Sequence, residues 1–351
     1  FFDDSQDTMT QITRVALNQA IFAVGAAIEA ADPHGKAHGL RTLLTYGLYK
    51  LFDDLRGQKR AFDREAFMAG LRRAQMMAET HPVVLQAESP AAAAETIEAF
   101  TADLYSRCWT YYTDQEFLDM AKLFDKRFVM SGISLDLKGK KCIDLGCGSG
   151  RYVVAMADAG ASEAWGFDLS ERAIADGTAR AQRLGYSDRC HFQAGSVLEL
   201  PFEDESFDFV SCNGVLHHTT DPKKGLAELA RITRKDGIAY VMLYGSGELW
   251  WDLTDMMRSV MACVPRGYAF SALELLSVAP GKVFNYMDHM FVPCREVISH
   301  AEFQDRLRAV GFKSWQIMER GEMIDSAERK TLFAEDADLV GEADLRYVCR
   351  L

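Results

Sequence analysis

Between about Gly139 and Tyr244 short strand-like runs alternate with helical ones, and this alternation restricts the fold more than any other feature of the chain. Lys141–Leu145, Glu163–Phe167, His191–Phe192, Phe207–Cys212 and Ile238–Tyr244 read as strands, and Tyr152–Ala159, Glu171–Leu184 and Lys223–Thr233 as the helices between them. Strands joined through helices run parallel, with the helices on the sheet faces. The expectation is an α/β fold with a doubly wound, mostly parallel sheet. A later helix, Glu296–Val310, and two more strand-like runs, Ser314–Met318 and Leu345–Cys349, complete seven expected strands. Ligands of such sheets bind beyond the carboxyl ends of the strands.

The chain is 351 residues long, more than one usual domain needs. From Thr8 to Leu104 the pattern is helical: Ile12, Val15, Ala16, Ile21, Val24 and Ile28 recur at three- and four-residue spacing, as do Leu40, Leu44, Leu48, Leu51 and Leu55 after the Asp32-Pro33-His34-Gly35 break. Two further helices, Phe62–Met77 and Pro90–Leu104, are expected. Residues 1–107 therefore read as a helical domain, whose apolar stripes suit either its own core or a homodimer axis. Residues 108–351 read as the sheet domain. The stretch of about 246–293 is aromatic- and Met-rich, too long for an ordinary loop, and reads as a lid inserted after the fifth strand.

Composition removes several functions. Lys plus Arg number 39 against 51 Asp plus Glu, a net charge of −12 that disfavours nucleic acid as a partner. No run of about 20 apolar residues is available to span a membrane. The eight cysteines show no CxxC spacing, and no signal peptide opens the chain, so reduced thiols in the cytoplasm are expected. No cluster with metal-ligand spacing emerges.

Asp144-Leu145-Gly146-Cys147-Gly148-Ser149-Gly150 joins the first strand to its helix. Glycines at 146, 148 and 150 let the backbone turn tightly and approach a ligand closely. The spacing is neither the G-x-G-x-x-G of dinucleotide sites nor a phosphate loop with its Gly-Lys-Ser/Thr. Asp168 ends the second strand 18 residues beyond Gly150, where a carboxylate can accept both hydroxyls of a ribose. A nucleoside without phosphates fits best.

Together with this loop, Gly166-Phe167-Asp168-Leu169-Ser170, Leu200-Pro201-Phe202, Ser206-Phe207-Asp208-Phe209-Val210 and Asn213-Gly214-Val215-Leu216-His217-His218 resemble the class I S-adenosylmethionine (SAM) methyltransferases. The resemblance covers about 120–244. It implies a Rossmann-like methyltransferase sheet with SAM as cofactor and S-adenosylhomocysteine as product. By the same resemblance Asp144, Gly146, Cys147, Gly148 and Gly150 cup the methionine part, Asp168 holds the ribose, and Leu169 packs on the adenine. Ser196 and Val197 meet the adenine, although the acidic residue many relatives carry near this point is missing. Asn213 meets the amino-acid portion, and the Pro-Pro-Tyr signature of base and Gln methylation does not follow it.

Methyl transfer chiefly requires the acceptor to be positioned, and a protic acceptor also needs a base. His217, just after the fourth strand, and His289 are the candidate catalytic residues; His218 and His300 are weaker ones. Tyr112, Arg127, Trp251, Arg258 and Tyr286 are the candidate substrate-binding residues. An aromatic lid carrying arginines suits a small thioether acid, whose sulfur has no proton to lose. The architecture is similar to that of the methylthiohydroxybutyrate S-methyltransferases of dimethylsulfoniopropionate synthesis. Two readings stay open beside this one: O- or C-methylation of a quinone, polyketide or phenolic acid, and a non-catalytic SAM-binding scaffold.

Overall fold

The computed structural model describes residues 12–56, 62–80, 97–109, 113–247, 249–276, 278–318, 341–342 and 344–351. The chain divides into two compact units. The helical unit takes the described parts of Phe1–Ser89, Gly247–Leu276 and Leu332–Gly341; the sheet unit takes those of Pro90–Ser246, Ser277–Thr331 and Glu342–Leu351.

The helical unit opens with α1 (Arg14–Ala31), α2 (His38–Arg56) and α3 (Arg64–Thr80). Thr13 caps α1 by accepting from the Ala16 amide, and Leu17, Ile21, Val24 and Ile28 form its buried face. Val15, expected on that face, is 66% exposed. Gly70 admits Leu51, since a Cβ there would lie 2.0 Å from a Leu51 methyl carbon.

In the sheet unit α4 (Ile97–Trp109), α5 (Asp114–Ala121) and α6 (Leu123–Met130) precede the sheet. The alternation follows as expected: β1 (Lys141–Leu145), α7 (Arg151–Asp158), β2 (Glu163–Asp168), α8 (Glu171–Arg183), β3 (Cys190–Ala194), β4 (Phe207–Asn213), α9 (Pro222–Ile232) and β5 (Thr233–Tyr244). A 3₁₀ turn, Leu216–His218, stands between β4 and α9.

After β5 the structure departs from the expected lid. Residues 247–276 form α10 (Leu249–Met261) and α11 (Arg266–Leu275), both in the helical unit. Leu249, Leu253, Met257, Val260 and Met261 are buried along α10, so the aromatic and thioether side chains complete a core that α1 and α2 leave open. Trp250 sits with its ring centroid 5.4 Å from Tyr49 and 5.1 Å from Phe52. A Cβ at Gly25 of α1 would lie 2.9 Å from Met256 Cγ. The buried Arg41 of α2 ties these parts together: its guanidinium donates to Glu29 Oε1 at 2.6 Å, Asp32 Oδ2 at 2.7 Å and the Val260 carbonyl of α10 at 2.7 Å.

The remaining elements return to the sheet unit: α12 (Pro280–Phe291), α13 (His300–Ala309), β6 (Ser314–Ile317) and β7 (Asp344–Arg350). Among the described residues the sheet has seven strands in the order β3-β2-β1-β4-β5-β7-β6. Strands β1 to β5 pair in parallel, and β7 pairs antiparallel with both β5 and β6. Phe117, Phe124, Phe128, Val153 and Met156, from α5, α6 and α7, bury one face; Leu226, Leu229, Phe303 and Leu307, from α9 and α13, bury the other.

Candidate active site

The glycine loop is shaped by contacts as much as by openness. Gly146, Gly148 and Gly150 have φ of 70°, 53° and 85°, the left-handed region that side chains disfavour. A Cβ on Gly146 would lie 2.3 Å from Val215, and one on Gly150 would lie 2.5 Å from the Phe192 ring. The Gly148 amide donates to Asp168 Oδ2 at 2.8 Å and the Ser170 amide to Asp168 Oδ1 at 2.9 Å. Asp168 is thereby fixed at the loop, with burial raising its carboxyl above the usual range. Asp144 is buried more completely, which pushes it up to about 7. Ser149 Oγ, inside the loop, is buried with no hydrogen-bond partner among the described residues.

The end of β4 carries a second cluster. His217 is 1% exposed, and neither ring nitrogen has a partner among the described residues. Its ring stacks on Tyr244, with centroids 3.8 Å apart, and meets His218 edge-on at 4.1 Å. Burial, then the charges of His218, His289 and Arg295, hold the His217 pKa well below the usual histidine range. Tyr244, at the end of β5, donates to Asp288 Oδ2 at 2.8 Å, and Tyr105 of α4 donates to Asp288 Oδ1. Burial raises the Asp288 carboxyl, but the histidine charges and these two hydroxyls outweigh it and hold the group below its ordinary value. The loop and the cluster meet through the chain itself, since Val215, which packs on Gly146, lies two residues before His217.

Residues 136–274 match the family model described as a methyltransferase domain. That segment is a class I methyltransferase domain. The domain is 36% identical over 104 residues to the tRNA U34 carboxymethyltransferase of Idiomarina loihiensis, covering 29% of this chain and 32% of that protein. It is 33% identical over 99 residues to the 27-O-demethylrifamycin SV methyltransferase of Amycolatopsis mediterranei, covering 28% and 38%. The chain thus spans about a third of the length of these curated relatives. The solved SAM-dependent methyltransferase of Mesorhizobium loti superposes with a TM-score of 0.45 at 16% identity, over 67% of this chain and 100% of that one.

SAM is the cofactor of the methyltransferase domain, and the residues present fit it. Ser149 Oγ offers an uncommitted polar atom within the loop. Each Asp168 oxygen takes one backbone donor and keeps acceptor capacity, and Leu169 beside it is an exposed apolar side chain. Asp144, Gly146, Cys147, Gly148, Gly150, Asp168, Leu169 and Asn213 all lie at the carboxyl ends of β1, β2 and β4. Three of them have prior commitments. Asn213 Oδ1 accepts from Tyr240 at 2.7 Å, Cys147 Sγ faces the Gly148 carbonyl, and Gly150 serves the packing of Phe192. Ser196 Oγ accepts from the Leu198 amide at 3.3 Å, and the Val197 side chain joins the core.

The expected substrate residues that are described fall in both units. Tyr112 lies outside the described residues. Trp251 and Arg258 belong to α10 in the helical unit, where Trp251 is buried, because that helix completes a core. Arg127 donates to the Tyr152 hydroxyl and Tyr286 is fully buried in α12. His289 Nδ1 lies 2.6 Å from the Asn285 carbonyl one turn earlier, which engages it within its own helix. Asp288, Tyr105 and Tyr244 escaped the sequence reading. A lone acid within the Tyr286-Met287-Asp288 stretch of an apolar helix was the available signal.

Proposed function

We propose that the protein is a SAM-dependent methyltransferase whose acceptor is a small molecule that gives up a proton, an O–H or activated C–H acid, with His217 as the base. The single observation that carries this is the setting of His217: buried, held well below the usual histidine pKa by that burial, and with both ring nitrogens unpartnered among the described residues, at the end of the strand whose next turn packs on the SAM loop. Bound SAM supplies the methyl group from its sulfonium: the S–CH3 bond breaks as the acceptor–CH3 bond forms, and S-adenosylhomocysteine leaves. The chain's own residues hold Asp168 and the loop in place, exclude water around His217, and let one ring nitrogen receive the acceptor's proton. The 27-O-demethylrifamycin SV of the Amycolatopsis enzyme's name is an acceptor of this protic class, and the charge of −12 again disfavours a nucleic-acid acceptor.

The thioether reading drew on the aromatic residues of 246–293. Those on α10 serve the helical unit instead, which lessens its support, and an unpartnered base has no task in S-methylation. The test is S-adenosylhomocysteine release from SAM with a phenolic acid, a hydroquinone and 4-methylthio-2-hydroxybutyrate in parallel. Turnover of a protic acceptor that falls about 100-fold or more in His217→Gln, with SAM still bound, supports the proposal. Turnover of the thioether acid that survives His217→Gln overturns it. The proposal includes action in the cytoplasm and a homodimer built through the helical unit, where Val15 and Phe22 expose apolar surface on one side of α1; sedimentation of wild type and Phe22→Glu tests the latter.

A further inference from the structure

His218 stands between two groups that can only accept. Its Nδ1 is 2.9 Å from the carbonyl oxygen of Cys294, and its Nε2 is 3.4 Å from Asp288 Oδ1. A carbonyl has no proton to give, and neither has an ionised carboxylate, so both contacts are satisfied only when each ring nitrogen carries a proton. Asp288, in turn, faces donors: the Tyr105 hydroxyl at Oδ1, the Tyr244 hydroxyl at Oδ2, and the edge of His218. The two side chains are 5% and 8% exposed, and at such burial opposite charges persist as a pair, whereas a lone charge does not.

We propose that His218 and Asp288 form a standing imidazolium–carboxylate pair that keeps the adjacent His217 uncharged, which makes Asp288 a positioning residue for the base. This rests on the reading of His217 given above. The pair acts twice. Tyr244, held by Asp288, is the ring on which His217 stacks, so the carboxylate fixes the plane of the base. The positive ring of His218, 4.1 Å away, opposes a second proton on His217. Among the described residues, the other groups facing the cluster are His289, whose Nδ1 lies 3.9 Å from Asp288 Oδ2, and Arg295, both of which act on His217 in the same sense as His218, and Asp344, which acts on Tyr244. Because His218 is already fully protonated, it cannot relay the acceptor's proton; that proton stays on His217 until it leaves to water. The acceptor class follows. A site with His218 and Arg295 beside the base favours an acceptor that becomes an anion as it reacts, an enol or phenol before an amine.

The experiment is a ring-nitrogen NMR titration of the full chain labelled with 15N-histidine, between about pH 5.5 and about pH 9, with signals assigned from His217→Gln and His218→Gln. The expected result is a His218 ring protonated on both nitrogens throughout and a His217 ring that remains neutral to below about pH 6. One bare nitrogen on His218 at about pH 7.5 overturns the pair. In Asp288→Asn, His218 is expected to lose its second proton and His217 to titrate closer to the ordinary histidine value. In the S-adenosylhomocysteine assay this variant should then lose up to about fourfold more kcat at about pH 6 than at about pH 8.5, with the acceptor KM little changed. A pair present in the spectra but a pH profile unmoved by Asp288→Asn overturns the positioning role. The spectra need no turnover. If His217→Gln keeps full activity while the pair is observed, the base reading is what fails.

Discussion

His217→Phe removes two buried nitrogens that have no partner among the described residues, and it is expected to raise stability by about 1–2 kcal/mol while abolishing turnover. A thermal melt beside the methyl-transfer assay checks both halves. Asp144 gives a prediction of opposite chemistry. Its carboxyl titrates near 7 inside the protein and near 3.8 when unfolded, so between those values the folded chain binds the extra proton and stability falls as pH rises. Asp144→Asn should therefore gain roughly 2–4 kcal/mol over wild type at about pH 8 and nothing at about pH 3.5, read from melting curves across pH. At this scale the tight glycine turn was legible, because Gly146, Gly148 and Gly150 take left-handed backbone that their spacing in the chain announces. Asp288 and Tyr244 were not, since they meet only once α12 and β5 bring them to one point.

Among elements, the loop from β1 to α7 tolerates no side chain at its third glycine. Gly150→Leu places a Cβ 2.5 Å from the Phe192 ring at a φ of 85°, and should lower stability by about 2–4 kcal/mol and weaken SAM binding, measured by calorimetry. Trp250→Ala in α10 removes an indole packed between Tyr49 and Phe52, and should lower stability by about 3–5 kcal/mol with SAM affinity unaltered. The alternation of period 2 and period 3.6 made the sheet and its helices readable to within a few residues. Helices α10 and α11 were hidden because Gly245, Gly247, Pro265 and Pro280 break the stretch into short pieces, and a short apolar piece does not tell which core it belongs to.

For the whole molecule, the segment 247–276 decides between an inserted cover and a structural part. Replacing it by a short flexible linker should leave the α1 and α2 faces around Gly25 and Trp250's neighbours bare, and the protein should lose its cooperative melt or aggregate. A cover could be removed with the melt intact. The division into a helical and a sheet-bearing part was visible in the sequence, yet its boundaries were not, because a unit built from distant stretches of chain leaves no continuous signature.

That discontinuity sets a timetable on the ribosome. Helices α1 to α3 end at Thr80, and the helix that closes their core begins at Leu249. At synthesis rates of about 5–20 residues per second, the first three helices wait on the order of ten to thirty seconds for their partner. Through that interval the nascent chain displays an unfinished apolar surface while the sheet is still being made, and a cell producing this protein has to shield it.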